Sequence, residues 1–296
     1  MGYIATKLGV LTELTRQGKR AMVWMKSSRL WTRLGLASAL ALCVAGVSQA
    51  EEVRAGPWRS LFDGKTLNGW TAKIARHPVG ENYRQTFVAD QGVIRVSYAG
   101  YDKFDNQFGH LFYKAPFSAY RLRLTYRFLT EGLPLDTPGW ARSNSGIMFH
   151  SQTAESMTVE QPFPVSIEFQ LLGKEDDKPR PTGAVCTPGI TITIDGAKVK
   201  EHCTPPANAP TIANGAWVQA ELEVLPSGEI TQKINGVVVH RYAGAALDPD
   251  DTVAGGAKPY ILARGAQSVT GGYISLQSEG APIEFKDIEI QELTPR

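Results

Sequence analysis

The chain has 296 residues, 31 Lys and Arg against 29 Asp and Glu, and is 43% hydrophobic and 20% charged. It is too long for a minimal module and can bury a large core in one or two domains. Nothing in the charge balance supplies the clustered basic face that a nucleic-acid partner requires.

The first 50 residues differ in kind from the rest. Lys7, Arg16, Lys19, Arg20, Lys26, Arg29 and Arg33 precede an apolar run from Leu34 to Val47, and Ser48-Gln49-Ala50 stands where a signal peptidase would cut. Residues 1–50 are therefore expected to be a secretory signal peptide, with Met22 or Met25 as an alternative start. The apolar run is shorter than the ~20 residues of a spanning helix, so no membrane association is expected after cleavage, and the product should be periplasmic or secreted. Seven basic residues and one acid leave with this segment, so 24 basic and 28 acidic residues stay in the mature chain, a net charge of −4. Cys43 leaves too. Cys186 and Cys203 remain as an even pair in an oxidising compartment, and a disulfide closing their loop would stabilise by roughly 3 kcal/mol. A zinc site would need more ligands than the adjacent His202.

From Glu51 onward, short runs of apolar alternation bounded by Gly, Pro, Asn and Asp recur, and no long segment has helical spacing, which predicts an all-β sandwich. Asp63-Gly64 and Asn68-Gly69 mark turns near Trp58 and Trp70. Strands are expected at 86–89 and 92–96, then across Tyr120 to Phe128, where Leu122, Leu124, Tyr126 and Phe128 oppose Arg121, Arg123, Thr125 and Arg127. The three arginines read as a solvated outer face. Between these strands, residues 98–110 form an aromatic and polar loop containing Tyr101, Asp102, Asp105 and His110, of a length that suits a functional loop or lid. Later strands are expected at 190–194, 217–224, 230–234, 237–242, 272–277 and 283–293, with Asn235-Gly236 as a hairpin turn, while 204–210 and 243–258 read as loops. No linker divides the remainder, so residues 51–296 are expected to form a single domain.

The chemistry concentrates between Trp140 and Leu172. In the strand Val165–Leu171, Val165, Ile167, Phe169 and Leu171 alternate with Ser166, Glu168 and Gln170, giving one apolar and one polar face. In the preceding strand, Ser145, Ile147 and Phe149 should face inward and Asn144, Met148 and His150 outward, with Gly146 leaving room for close approach. Asn144, His150, Glu168 and Gln170 would then line one open face. An outer solvated surface would show the same alternation.

The order of LFDGKTLNGW (61–70), FGHLFY (108–113), WARSNSGIMFH (140–150), PVSIEFQLLG (164–173), RPTG (180–183), the TGxxCTPG and HC pair (182–203), an ING hairpin (234–236) and GYISLQSEGAPIEFKDIEI (272–290) resembles the 3-keto-disaccharide hydrolase domain family across nearly all of the mature chain. Two positions depart from many members of that family, which carry Arg at the place of His150 and Asp at that of Gly173. The resemblance implies a concanavalin A-like lectin/glucanase sandwich (jelly roll) of two antiparallel sheets, with a concave face for sugar. It also implies a carbohydrate substrate already oxidised to a ketone at C3. Such a ketone acidifies the hydrogen at C2, so a single base can initiate cleavage by elimination. Glu168 is the expected base and His150 the expected proton donor to the leaving oxygen. Asn144, Gln170 and Gln277 are expected to donate hydrogen bonds, Trp140 or Tyr101 to stack on the ring, and Arg142, His110 and Glu279 to complete the substrate contacts. No motif calls for a cofactor, although His110, His150, Glu168 and Glu279 have ligand chemistry suited to a divalent cation. Two other readings stay open: a lectin-like binding module of the same fold, and a retaining glucanase, which would need a second carboxylate about 5–5.5 Å from the first, with Glu279, Asp102 or Asp105 as candidates.

Overall fold

The computed structural model describes residues 52–296; the expected signal segment lies outside the described residues. In chain order the strands are β1 (Val53–Ser60), β2 (Trp70–Ile74), β3 (Phe87–Asp90), β4 (Val93–Val96), β5 (Gly109–Tyr113) and β6 (Tyr120–Phe128). They continue with β7 (Asn144–Ser151), β8 (Ile167–Leu172), β9 (Val185–Cys186), β10 (Ile190–Ile194), β11 (Ala197–Lys198) and β12 (Cys203–Thr204). The last are β13 (Val218–Val224), β14 (Ile230–Ile234), β15 (Val237–Leu247), β16 (Tyr273–Ser278) and β17 (Ile283–Pro295). One five-residue helix, α1 (Lys258–Leu262), precedes β16.

The strands form two antiparallel sheets, the sandwich expected of a jelly roll. The ten-stranded sheet runs β11-β10-β15-β14-β13-β6-β17-β4-β3, with β1 also paired to β17, and the seven-stranded sheet runs β12-β9-β8-β7-β16-β5-β2. Leu122, Leu124, Tyr126 and Phe128 of β6 share one buried core with Ile147 and Phe149 of β7 and Ile167, Phe169 and Leu171 of β8. On the outer side of β6, Arg121, Arg123 and Arg127 pair with Glu223, Glu289 and Glu284. Arg123 and Arg127 also lie over the rings of Trp58 and Trp217, at 4.1 and 4.4 Å. This is the solvated face that the alternation predicts.

Six strands escape the sequence pattern: β9, β11 and β12 are two-residue pairings too short to show a period, and β1, β2 and β5 are longer. β5 is buried at every position, so it shows no alternation, and β1 and β2 lie in the stretch read mainly for its turns. The segment from Ala243 to Leu247, expected as loop, continues β15 through a bulge: its pairing to β10 slips between Thr191 and Thr193, and Gly244 takes φ +68.

Cys186 on β9 lies directly opposite Cys203 on β12 and the two are joined as a disulfide. This bond suits an oxidising compartment. No helix among the described residues is long and apolar enough to cross a membrane.

Candidate active site

The register of β7 against β8 decides which side chains meet. Ile147 stands opposite Phe169, so these enter the core, while Met148 opposes Glu168 and Gly146 opposes Gln170 on the other face of the sheet. That face carries a cavity of about 250 Å³. Its floor is Asn144, Glu168, Gln170 and Glu279, and its walls are Trp140, Phe163, Pro188, Val253 and the His202–Cys203 pair. Glu279 follows directly on β16, the strand next to β7. Gly146 is needed here: a Cβ at this position would lie 2.7 Å from Cγ and 2.9 Å from Cδ of Glu168, so the carboxylate occupies the space that a side chain would fill. Trp140 is 54% exposed and its ring stacks on Phe108, with centroids 5.8 Å apart and planes at 25°. An aromatic half open to solvent beside polar groups suits the apolar face of a sugar ring.

Burial sets the electrostatics. Glu168 is only 5% exposed, its Oε1 has no hydrogen-bond partner among the described residues, and desolvation pushes its pKa up to about 8. Glu279 is equally buried, and its Oε2 has no hydrogen-bond partner among the described residues. Its pKa is raised well above the ordinary carboxylate value, first by desolvation and then by the negative charge of Glu168, with Arg180 opposing. Two carboxyls in one desolvated site both resist ionisation, and the first negative charge formed there opposes a second. The repulsion acts on both members alike, so the pair titrates in two steps, and once one carboxyl has ionised the other is held protonated more firmly.

Arg180, from the RPTG motif, braces this arrangement. Its guanidinium donates to the carbonyls of Arg142, Ser143 and Gly173, at 2.7, 3.1 and 3.0 Å, and to that of Trp140 at 3.1 Å. Asn144 Nδ2 also donates to the Trp140 carbonyl, at 3.2 Å, and its Oδ1 has no hydrogen-bond partner among the described residues. The turn that presents Trp140 and Asn144 is thus held from both sides. Gly173 is crowded by Asn214, by Phe128 at 2.9 Å and by Ser143 at 3.0 Å, so no larger residue fits there in this chain.

The same face of the sheet continues past the cavity. Lys73 pairs with His110 across β2 and β5, and His110 with Gln277 across β5 and β16. Both ring nitrogens of His110 and both amide atoms of Gln277 are buried and have no hydrogen-bond partner among the described residues, and Ser275 Oγ shares this state. Burial lowers the His110 pKa to about 3, with a smaller effect from Lys73 in the same direction, so the ring is neutral. Buried polar groups are nearly always paired, so this cluster of exceptions makes the face a candidate site.

The structure thus brings together Trp140, Asn144, Glu168, Gln170 and Glu279, with His110 and Gln277 on the adjoining row. Three expected residues lie elsewhere. The Tyr101 hydroxyl bonds Thr86 and its ring packs edge-on against Tyr83 and Tyr98, so this aromatic loop is a local core and Tyr101 does not line the cavity. Arg142 is exposed and contributes its carbonyl to Arg180. His150 lines a different cavity, because a bulge in β7 opposite Ile274 of β16 interrupts the alternation and puts His150 at φ +49. Phe163, Pro188 and Val253, which no pattern singled out, complete the walls with His202, which the sequence marked only as a neighbour of the cysteine pair. Among the described residues, the one close group of metal-ligand types is Cys186, His202 and Cys203, and both its thiols are spent in the disulfide.

A family model described as the 3-keto-alpha-glucoside-1,2-lyase-like domain matches residues 57–291. The chain belongs to this family. The 3-keto-alpha-glucoside-1,2-lyase-like domain therefore spans both sheets and the cavity, and gives the chain a carbohydrate-related role. No curated protein matches the sequence. Among solved structures, a putative glycosyl hydrolase from Parabacteroides distasonis ATCC 8503 is similar at 17% identity over 81% of this chain and 94% of that one, with a TM-score of 0.49. A protein of unknown function with a galectin-like fold from Bacillus subtilis aligns at 10% identity over 83% and 99%, TM-score 0.48. The carbohydrate binding module CBM66 from Bacillus subtilis aligns at 11% over 75% and 94%, TM-score 0.42. Likeness at this level bears on no residue of the site.

Proposed function

We propose that this domain cleaves 3-keto-glycosides by elimination across C1 and C2. The observation that carries the reading is the pair of buried carboxyls on the cavity floor, whose pKa values are both raised by desolvation, so that one can serve as base while the other keeps its proton. With a ketone at C3, Glu168 takes the proton from C2 and the electron pair moves onto the ketone oxygen as an enolate. Collapse of the enolate restores the ketone, forms the C1–C2 double bond and expels the oxygen at C1. Glu279 gives its proton to that oxygen, so the alcohol leaves neutral, and the net result is an enone sugar plus the free alcohol. General acid and base groups whose pKa values lie near the working pH transfer protons most effectively. The side-chain amide of Gln170, which lines the cavity, would donate to the developing enolate, where preorganised dipoles stabilise charge, and Trp140 would stack on the ring. Glu279 takes the donor role that the sequence suggested for His150.

A carboxyl pair also favours a second reading, in which one member attacks C1 of an ordinary glucoside and the other protonates the leaving group. The deciding experiment incubates the purified protein with a 3-keto-glucoside and its unoxidised counterpart side by side, with and without chelator. Release from the keto sugar alone supports elimination, release from both supports the glucanase chemistry, and saturable binding of either without turnover supports a lectin-like module.

A further inference from the structure

The cavity that takes in His150 is the larger one, about 530 Å³, within the range of ordinary ligand sites. It opens where the two sheets meet, since its lining includes Ser151 of β7 and Leu247 of β15 in opposite sheets. His150 is only 4% exposed, and its Nδ1 has no hydrogen-bond partner among the described residues. The residue is held there at φ +49 by the bulge in β7. Gly272 makes room for this: a Cβ there would come within 2.5 Å of the His150 carbonyl carbon. A buried ring with an unpartnered nitrogen, on a residue at positive φ in the wall of a cavity, is an unusual combination in a purely structural segment.

The remaining lining indicates what would satisfy that ring. Gln267, Ser268 and Thr270 contribute uncharged polar groups, and Tyr260 of α1 contributes an aromatic ring. The two charged side chains are already engaged. Arg264 lies 3.8 Å over the Tyr260 ring and donates to the Tyr260 carbonyl, and Glu292 is paired with Arg59 at 2.9 Å. Burial lowers the His150 pKa to about 4, so the ring offers one donor and one acceptor and no charge at neutral pH. Neutral donors and acceptors beside an aromatic ring match hydroxyl groups on a sugar better than they match an anion.

We propose that this crevice is a second, non-catalytic binding site for a neutral saccharide, with the unpartnered nitrogen of His150 and the polar side chains around it taking the sugar hydroxyls. The inference is independent of the reaction assigned to Glu168. The chain has five histidines, and their imidazole nitrogens can be followed by NMR in protein carrying ¹⁵N-labelled histidine. Addition of maltotriose or cellotriose should shift the His150 resonance in a saturable way, equally in wild type and Glu168→Gln. Tyr260→Ala, checked for folding by unchanged resonances of the other histidines, should weaken the interaction at least tenfold. The proposal is overturned if neither sugar moves His150, if sodium sulfate moves it and the sugars do not, or if Tyr260→Ala binds as wild type does.

Discussion

Gly146→Ala isolates the position of the Glu168 carboxylate. Gly146 has no left-handed backbone angle, so alanine is allowed there, and replacing a strand glycine returns roughly 0.5–1 kcal/mol of backbone entropy. The new methyl would lie 2.7 Å from Cγ of Glu168, where ordinary contact begins at 3.4 Å, so the carboxylate has to retreat by about 0.7 Å. A misplacement of ~1 Å at a reacting group lowers rates about 100-fold. The expected result is therefore a 10- to 100-fold fall in kcat/KM on a 3-keto-glucoside, with a melting temperature close to that of wild type. Gly139→Ala, where a Cβ meets nothing within 4 Å, should leave both unchanged. Full activity in a folded Gly146→Ala variant would refute the reasoning, since Glu168 could then move without consequence.

Burial makes Glu168 a pH-dependent liability. Its folded pKa of about 8 lies above the ordinary 4.5, so its contribution to stability is fully present below pH 4.5 and is lost as pH rises through 8. Glu168→Gln should accordingly melt near wild type at pH 4 and above it at pH 9, and parallel melting curves across that range would remove the desolvated carboxylate. Phe169→Ala should destabilise by roughly 3–5 kcal/mol in urea titration, as truncation of a fully buried aromatic does; a loss below 1 kcal/mol would place Phe169 outside the core. Cys203→Ser should reduce stability by about 2–3 kcal/mol and raise KM for the keto sugar, because Cys203 and His202 form part of the cavity wall; an unchanged KM would mean that this wall does not touch substrate.

How far the site could be read from sequence depends on which interactions are local. Alternation in β8 placed Phe169 inside and Glu168 outside because a sheet with one buried face imposes a period of two. Glu279 gave no such signal: it meets Glu168 only because β16 is inserted beside β7 from a distant part of the chain. His150 misled for a local reason, since one bulged residue breaks the alternation, and the adjacent glycine pair at 271–272 was the visible hint that a backbone would crowd there. Tyr101 misled because aromatic side chains in a loop serve as a small core as readily as they serve as a sugar platform.

Proton exchange at C2 tests the central claim most directly. A 3-keto-glucoside incubated with the protein in deuterated water should acquire deuterium at C2 or release its alcohol with formation of the enone. Glu168→Gln should do neither, and Glu279→Gln should still exchange while releasing alcohol slowly. Full exchange at C2 in Glu168→Gln would contradict the assignment of Glu168 as the base.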